Sequence, residues 1–85
     1  MVSMIAPEGH IHLHTDSEAD AAGAQRLHLV LKTNPSCWSY SADAGWQQLE
    51  EGGIYTFDPT IEHASINLGS EPRLHFVVDL KGVAA

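Results

Sequence analysis

The sequence predicts an all-β fold, a small sandwich or barrel of seven or eight short strands. Three observations predict it. Apolar and polar residues alternate with period two in several segments, so successive side chains point to opposite faces of a strand. Turn residues separate these segments at intervals of about 8–12 positions, the spacing of a sandwich or barrel. No stretch carries a convincing helical period.

Taken in order, Val2–Ile5 reads as a strand ahead of the turn Pro7-Glu8-Gly9. His10–Thr15 comes next within HIHLHTD, and Ser17–Gln25 reads as an alanine-rich loop. Arg26–Lys32, RLHLVLK, alternates cleanly. Cys37–Ser41 and Trp46–Leu49 are shorter candidates, and Ile54–Phe57 comes after the turn Glu51-Gly52-Gly53. His63–Leu68 ends at Gly69-Ser70, and Arg73–Leu80 closes the series.

A chain of 85 residues is sized for one domain, expected to cover residues 1–85, near the lower limit for folding without disulfides or metals. Its 44% hydrophobic content is ordinary for a globular chain and argues against disorder. No apolar run approaches the roughly 18 residues of a membrane span. The opening MVSMIAPEGH lacks the basic and apolar regions of a secretory signal. A single cysteine, Cys37, has no intrachain disulfide partner, which fits a reducing, cytoplasmic setting.

Four Lys and Arg stand against eleven Asp and Glu, a formal net charge of −7. Such a surface repels phosphate backbones and disfavours nucleic acid as a partner. It also makes each cation informative. An arginine inside an alternating apolar segment of so acidic a chain is not there for solubility.

Strict alternation places His10, His12, His14 and Asp16 on one face of their strand, with Ile11, Leu13 and Thr15 opposite. Arg26 and His28 oppose Leu27, Leu29 and Leu31; His63, Ser65 and Asn67 oppose Ala64, Ile66 and Leu68; Arg73, His75, Val77 and Asp79 oppose Leu74, Phe76 and Val78. Four strands thus show one polar and one apolar face, and converging polar faces would make the barrel interior a site. His10, His12 and His75 are expected to line or rim that cavity. Trp38, Tyr40, Trp46 and Tyr55 read as core or interface aromatics, with Trp38 or Tyr40 able to border a substrate.

His14-x-Asp16 followed by a lone His63 is the sequence form of a two-histidine, one-carboxylate facial triad. Neutral imidazoles and a carboxylate hold Fe(II) on one octahedral face and leave the opposite positions open for a 2-oxo acid and O2. Arg73, ten residues after His63, offers the planar donor fork that grips the distal carboxylate of a 2-oxo diacid. Arg26 and His28 supply a second cationic or donor pair, although a structural ion pair is an alternative role for Arg26.

In several blocks the chain resembles the aspartyl/asparaginyl β-hydroxylase family across nearly its whole length. The blocks are Ser3 to Pro7, I-x-x-H-T (Ile11 to Thr15), R-L-H-L-x-L (Arg26 to Leu31), L-E-E-G (Leu49 to Gly52), F-D-x-x-x-E-H (Phe57 to His63) and R-x-x-x-x-x-D (Arg73 to Asp79). The resemblance implies a double-stranded β-helix, the cupin-type jelly roll, reduced to a minimal core. It also implies Fe(II)- and 2-oxoglutarate-dependent hydroxylation of an amino-acid or peptidyl side chain of the Asp/Asn type. Carried over by position, His14, Asp16 and His63 hold the metal, Arg73 pairs with the distal carboxylate of 2-oxoglutarate, and Ser3, Arg26 and His28 surround that cosubstrate.

A competing reading takes His12, His14, Glu18 and His63 as the ligand set of a general metal-binding cupin, with His63-x-x-x-Asn67 as its second motif and no requirement for 2-oxoglutarate. It leaves R-L-H-L and Arg73 unexplained. On either reading the apolar faces carrying Leu27, Leu29, Leu31, Leu74, Phe76 and Val78 point away from the metal. Larger relatives cover such faces with helices, and none is encoded here. The expected cover is a second copy of the chain, giving a homodimer.

Overall fold

The computed structural model describes residues 1–15 and 25–80. Over these residues the chain forms eight strands: β1 Val2–Ile5, β2 His10–His14, β3 Gln25–Lys32, β4 Cys37–Ser41, β5 Gly45–Gln47, β6 Ile54–Phe57, β7 His63–Asn67 and β8 Arg73–Leu80. They pair antiparallel in two four-stranded sheets, ordered β1-β8-β3-β6 and β2-β7-β4-β5. Apart from the β4–β5 hairpin, successive strands alternate between the sheets, as in a small jelly roll, and no helix occurs among the described residues.

Period two is cleanest in β3 and β8, and these long central strands form the framework of the first sheet. Their register sets Arg26 opposite Asp79 and His28 opposite Val77, while β1 adds Ser3 opposite His75. The apolar strand faces point outward. Val2, Phe76, Leu29 and Ile54 make one cross-strand row over all four strands, and Val2, Phe76 and Ile54 are exposed.

Three sequence expectations need correction. The fifth strand spans Gly45–Gln47 rather than Trp46–Leu49, and Leu49 is buried outside any strand. Gln25, expected in a loop, begins β3; residues 17–24 of that loop lie outside the described residues. Alternation also fails in β2, where a register shift falls between Ile11, opposite Ser65, and His14, opposite His63. The extra residue of such a bulge reverses the parity of the residues beyond it. His14 therefore shares its face with Ile11, and both line the interior cavity. His10 and His12, expected to line or rim that cavity, are exposed and line an outer groove with Leu13, Tyr40, Trp46 and Ile66.

Turns close the sandwich. Gly52, between β5 and β6, has φ of 80°, a left-handed conformation that glycine adopts without steric penalty. The β7–β8 connection is pinned by Asn67, fully buried, whose Nδ2 donates to the carbonyls of Ile5 and Glu71 while Oδ1 accepts from Gly69 N and Asn34 Nδ2. This turn carries the chain from one sheet to the other, so Arg73 does not lie on a strand paired with that of His63.

Candidate functional site

A cavity of about 150 Å³ lies inside the barrel, lined from the first sheet by Ser3, Arg26, His28, Arg73, His75 and Val77, and from the second by Ile11, His14 and His63. Six of the seven residues singled out in the sequence thus border one space. The seventh, Asp16, lies outside the described residues, as does Glu18 of the competing set.

His14 and His63 are direct cross-strand neighbours, with ring centroids 4.2 Å apart. The backbone orients both rings in the same manner. His14 Nδ1 is 2.7 Å from the His12 carbonyl, and His63 Nδ1 is 2.8 Å from the Ile61 carbonyl. A carbonyl oxygen only accepts, so each Nδ1 carries the hydrogen, which in the neutral tautomer places the ring's lone pair on Nε2. That is the tautomer a divalent metal requires, held by a backbone acceptor behind the ring. The donor chemistry of these two residues therefore fits a metal such as Fe(II). Among the described residues no group of three His, Cys, Asp or Glu side chains is arranged to hold an ion.

Across the barrel, Arg73 is 3% exposed, and its Nε and Nη1 are buried without a hydrogen-bond partner. Burial pulls its pKa down to about 10. An ionised group taken out of water without a partner costs on the order of several kcal/mol, a large share of the roughly 5–15 kcal/mol that holds a domain together. A charge kept at that expense beside an open cavity is suited to an anion, and the planar guanidinium fits a carboxylate.

Arg26 has a different role. Its Nε donates to Asp79 Oδ1 at 2.7 Å and its Nη2 to Asp79 Oδ2 at 3.1 Å, a bidentate ion pair between paired strands. It borders the cavity while anchoring β3 to β8, so the structural role weighed for it in the sequence is present.

His28 and His75 were missed as a pair. Their Nδ1 atoms are 2.9 Å apart, and Phe57 makes a T-shaped contact with His28 at 4.9 Å between centroids. Burial, followed by the Arg73 guanidinium, lowers the His28 pKa to about 4 and the His75 pKa to about 3; Arg26 depresses His28 further. Both rings are neutral near pH 7. Their inward parity was legible in RLHL and RLHF; the register that makes them neighbours was not.

The competing ligand set loses support here. His12 lines the outer groove, its carbonyl accepting from His14 Nδ1 and its ring 5.6 Å from that of His14 between centroids. Asn67 is fully occupied in tying down the β7–β8 turn.

Comparison with known proteins agrees with the residue blocks. The family model described as aspartyl/asparaginyl beta-hydroxylase matches residues 1–82. L-proline cis-4-hydroxylase of Rhizobium meliloti (strain 1021) is 34% identical over 59 residues, which make up 69% of this chain and 21% of that protein. The chain thus spans about a fifth of the length of this curated relative.

Proposed function

As the chain belongs to the aspartyl/asparaginyl β-hydroxylase family, we propose that it is an Fe(II)- and 2-oxoglutarate-dependent oxygenase that hydroxylates a carbon of an amino acid, free or within a peptide. The observation that carries this reading is the buried, unpartnered Arg73 facing two tautomer-fixed imidazoles across one small cavity. His14 and His63 would hold the metal through Nε2, with Asp16 as the third ligand. Arg73 would bind the distal carboxylate of the 2-oxo acid through its fork of donors, with His28 and Ser3 beside it. Ile11, Phe57 and Val77 supply apolar wall that limits water around the reacting groups. When bound, the metal and cosubstrate supply the O2-dependent C–H oxidation; the protein supplies position and enclosure. The relative's printed substrate, L-proline, supports a free amino acid; the family's description supports an Asp or Asn side chain.

Anaerobic titration of Fe(II) protein with 2-oxoglutarate tests the proposal. The visible charge-transfer band of the metal–2-oxo acid chelate is expected, and Arg73→Ala should weaken the titration by about 100-fold, the effect of losing a charge-assisted bidentate contact. Iron that binds normally while 2-oxoglutarate gives no band would move the assignment to a metal-binding cupin of another chemistry.

A second copy of the chain is proposed as the partner, seated on the outward face of β1-β8-β3-β6. Val2, Met4, Leu27, Leu29, Ile54, Leu74, Phe76 and Val78 hold that face with Lys32 and Thr56, and no acid is among them although the chain has eleven. Two copies of charge −7 can meet there without opposing carboxylates. Two eight-residue strands and two four-residue strands, about 4.8 Å apart at about 3.3 Å per residue, present roughly 380 Å² before side-chain relief. That matches the largest apolar patches of ordinary monomers, which are often interaction sites, and supplies about half of the ~800 Å² per partner of a standard interface. Light scattering at micromolar concentration should give twice the chain mass; a monomer there rejects the dimer.

A further inference from the structure

His75 has no part in the proposal above, yet it is 2% exposed, borders the cavity and touches His28 nitrogen to nitrogen. A 2.9 Å approach of two Nδ1 atoms needs one hydrogen between them. Two hydrogens would collide, and none would leave two lone pairs facing. Each neutral imidazole carries a single N–H, so the rings cannot be alike. One holds the shared Nδ1–H and keeps a bare Nε2; the other accepts at Nδ1 and carries Nε2–H. The rings stand at 89° to each other, and Phe57 also packs against His28. Neither imidazole can therefore turn freely to exchange its roles.

We infer that His75 is a positioning residue for His28: His75 donates its Nδ1–H to His28 Nδ1, which fixes His28 as the Nε2–H tautomer and makes it a donor beside the Arg73 guanidinium. The direction is set by the anion. With the hydrogen on the other ring, His28 would set a lone pair against the carboxylate held at Arg73. With the hydrogen on His75, His28 and Arg73 both present donors. Burial, then Arg73 on both rings and Arg26 on His28, keeps both neutral, so the donor on His28 depends on the tautomer and not on charge. The inference rests on the reading of the cavity as a 2-oxo diacid site, and it assigns to that site a hydrogen-bond relay running from β8 to β3.

The test separates the two. Nitrogen-15 imidazole spectra of the whole chain with 2-oxoglutarate and a diamagnetic divalent metal should show His28 as Nε2–H and His75 as Nδ1–H near neutral pH. His75→Asn keeps an amide donor close to the Nδ1 position, whereas His75→Val removes the donor and fills the space. The 2-oxoglutarate Kd should rise about tenfold in His75→Val and stay within about threefold in His75→Asn, the difference one oriented hydrogen bond makes. Metal affinity should be unchanged in both, and melting curves for each verify that they fold. A His28 ring found as Nδ1–H, or His75→Val binding 2-oxoglutarate like the parent, overturns the inference. Parent protein that binds no 2-oxoglutarate overturns the site reading instead, and the spectra without ligand still decide whether the two rings hold unlike tautomers.

Discussion

The two faces of the sheet β1-β8-β3-β6 are built from the same strands and have opposite character. Inward, Ser3, Arg26, His28, Arg73 and His75 surround a cavity. Outward, Val2, Met4, Ile54 and Phe76 are exposed while Leu27, Leu29, Leu74 and Val78 are half-buried. An antiparallel sandwich ordinarily buries its apolar faces and wets its polar ones; here the order is reversed on this sheet. Among the described residues the buried apolar side chains are Ile5, Val30, Cys37, Leu49, Pro59 and Val77. So small a set leaves the interior to the site. Strand pairing, the Arg26–Asp79 ion pair and whatever covers the outer face must then supply much of the stability.

The contrast is broken most strongly at Arg73. Arg73→Met keeps the length of the side chain and removes the charge. It should abolish measurable 2-oxoglutarate binding, a loss of about 100-fold or more. The ligand-free protein should melt higher, by roughly 5 °C or more, because an unpartnered buried ion has been replaced by an apolar chain. Calorimetry without ligand checks the second half. If Arg73→Met melts lower than the parent, the guanidinium has a stabilising partner and is no vacant anion site.

The outward face gives the next effect. Phe76→Lys with Ile54→Lys puts charge at two exposed positions of the apolar row. Each is a surface change within about 0.5 kcal/mol for an isolated protomer. The doubly substituted chain should sediment as a monomer at concentrations where the parent is a dimer, with its metal and cosubstrate binding intact. Unchanged mass would show that the dimer, if present, uses another surface.

How much of this was legible in the sequence depended on local regularity. β8 and the Arg26–Val30 part of β3 were readable to their faces because their alternation is unbroken, so the inward set of Arg26, His28, Arg73 and His75 could be read directly; the shift between Val30 and Lys32 puts Lys32, not Leu31, opposite Leu74. β2 was not, since the bulge between Ile11 and His14 inverts parity without any glycine to announce it. His14 was assigned to the interior correctly, although on a face shared with His10 and His12, which point outward. Which strands pair was beyond reach, because a turn such as Gly69-Ser70 can close a hairpin or cross between sheets. The Arg26–Asp79 and His28–His75 contacts are products of that pairing.

The smallest expected effect concerns pH and distinguishes the two faces by a property only the inner one has. His28 and His75 are held neutral in the folded state, with pKa values of about 4 and about 3, whereas in the unfolded chain both titrate near 6.5. Below 6.5 the unfolded state therefore binds more protons than the folded one. Stability is greatest above 6.5 and declines as pH falls toward about 4 for His28 and about 3 for His75. Asp58, whose carboxyl is depressed by its hydrogen bonds to Thr60, adds a loss only below its ordinary value of 3.8. Melting temperature recorded from pH 7 to 4 should fall in the parent and fall less steeply in a His28→Gln, His75→Asn double variant. The outward substitutions carry no group that titrates in this interval and should leave the slope as it is. An identical slope in parent and inner double variant would mean that the buried imidazoles take up protons without resisting them, and the neutral relay between β8 and β3 would lose its footing.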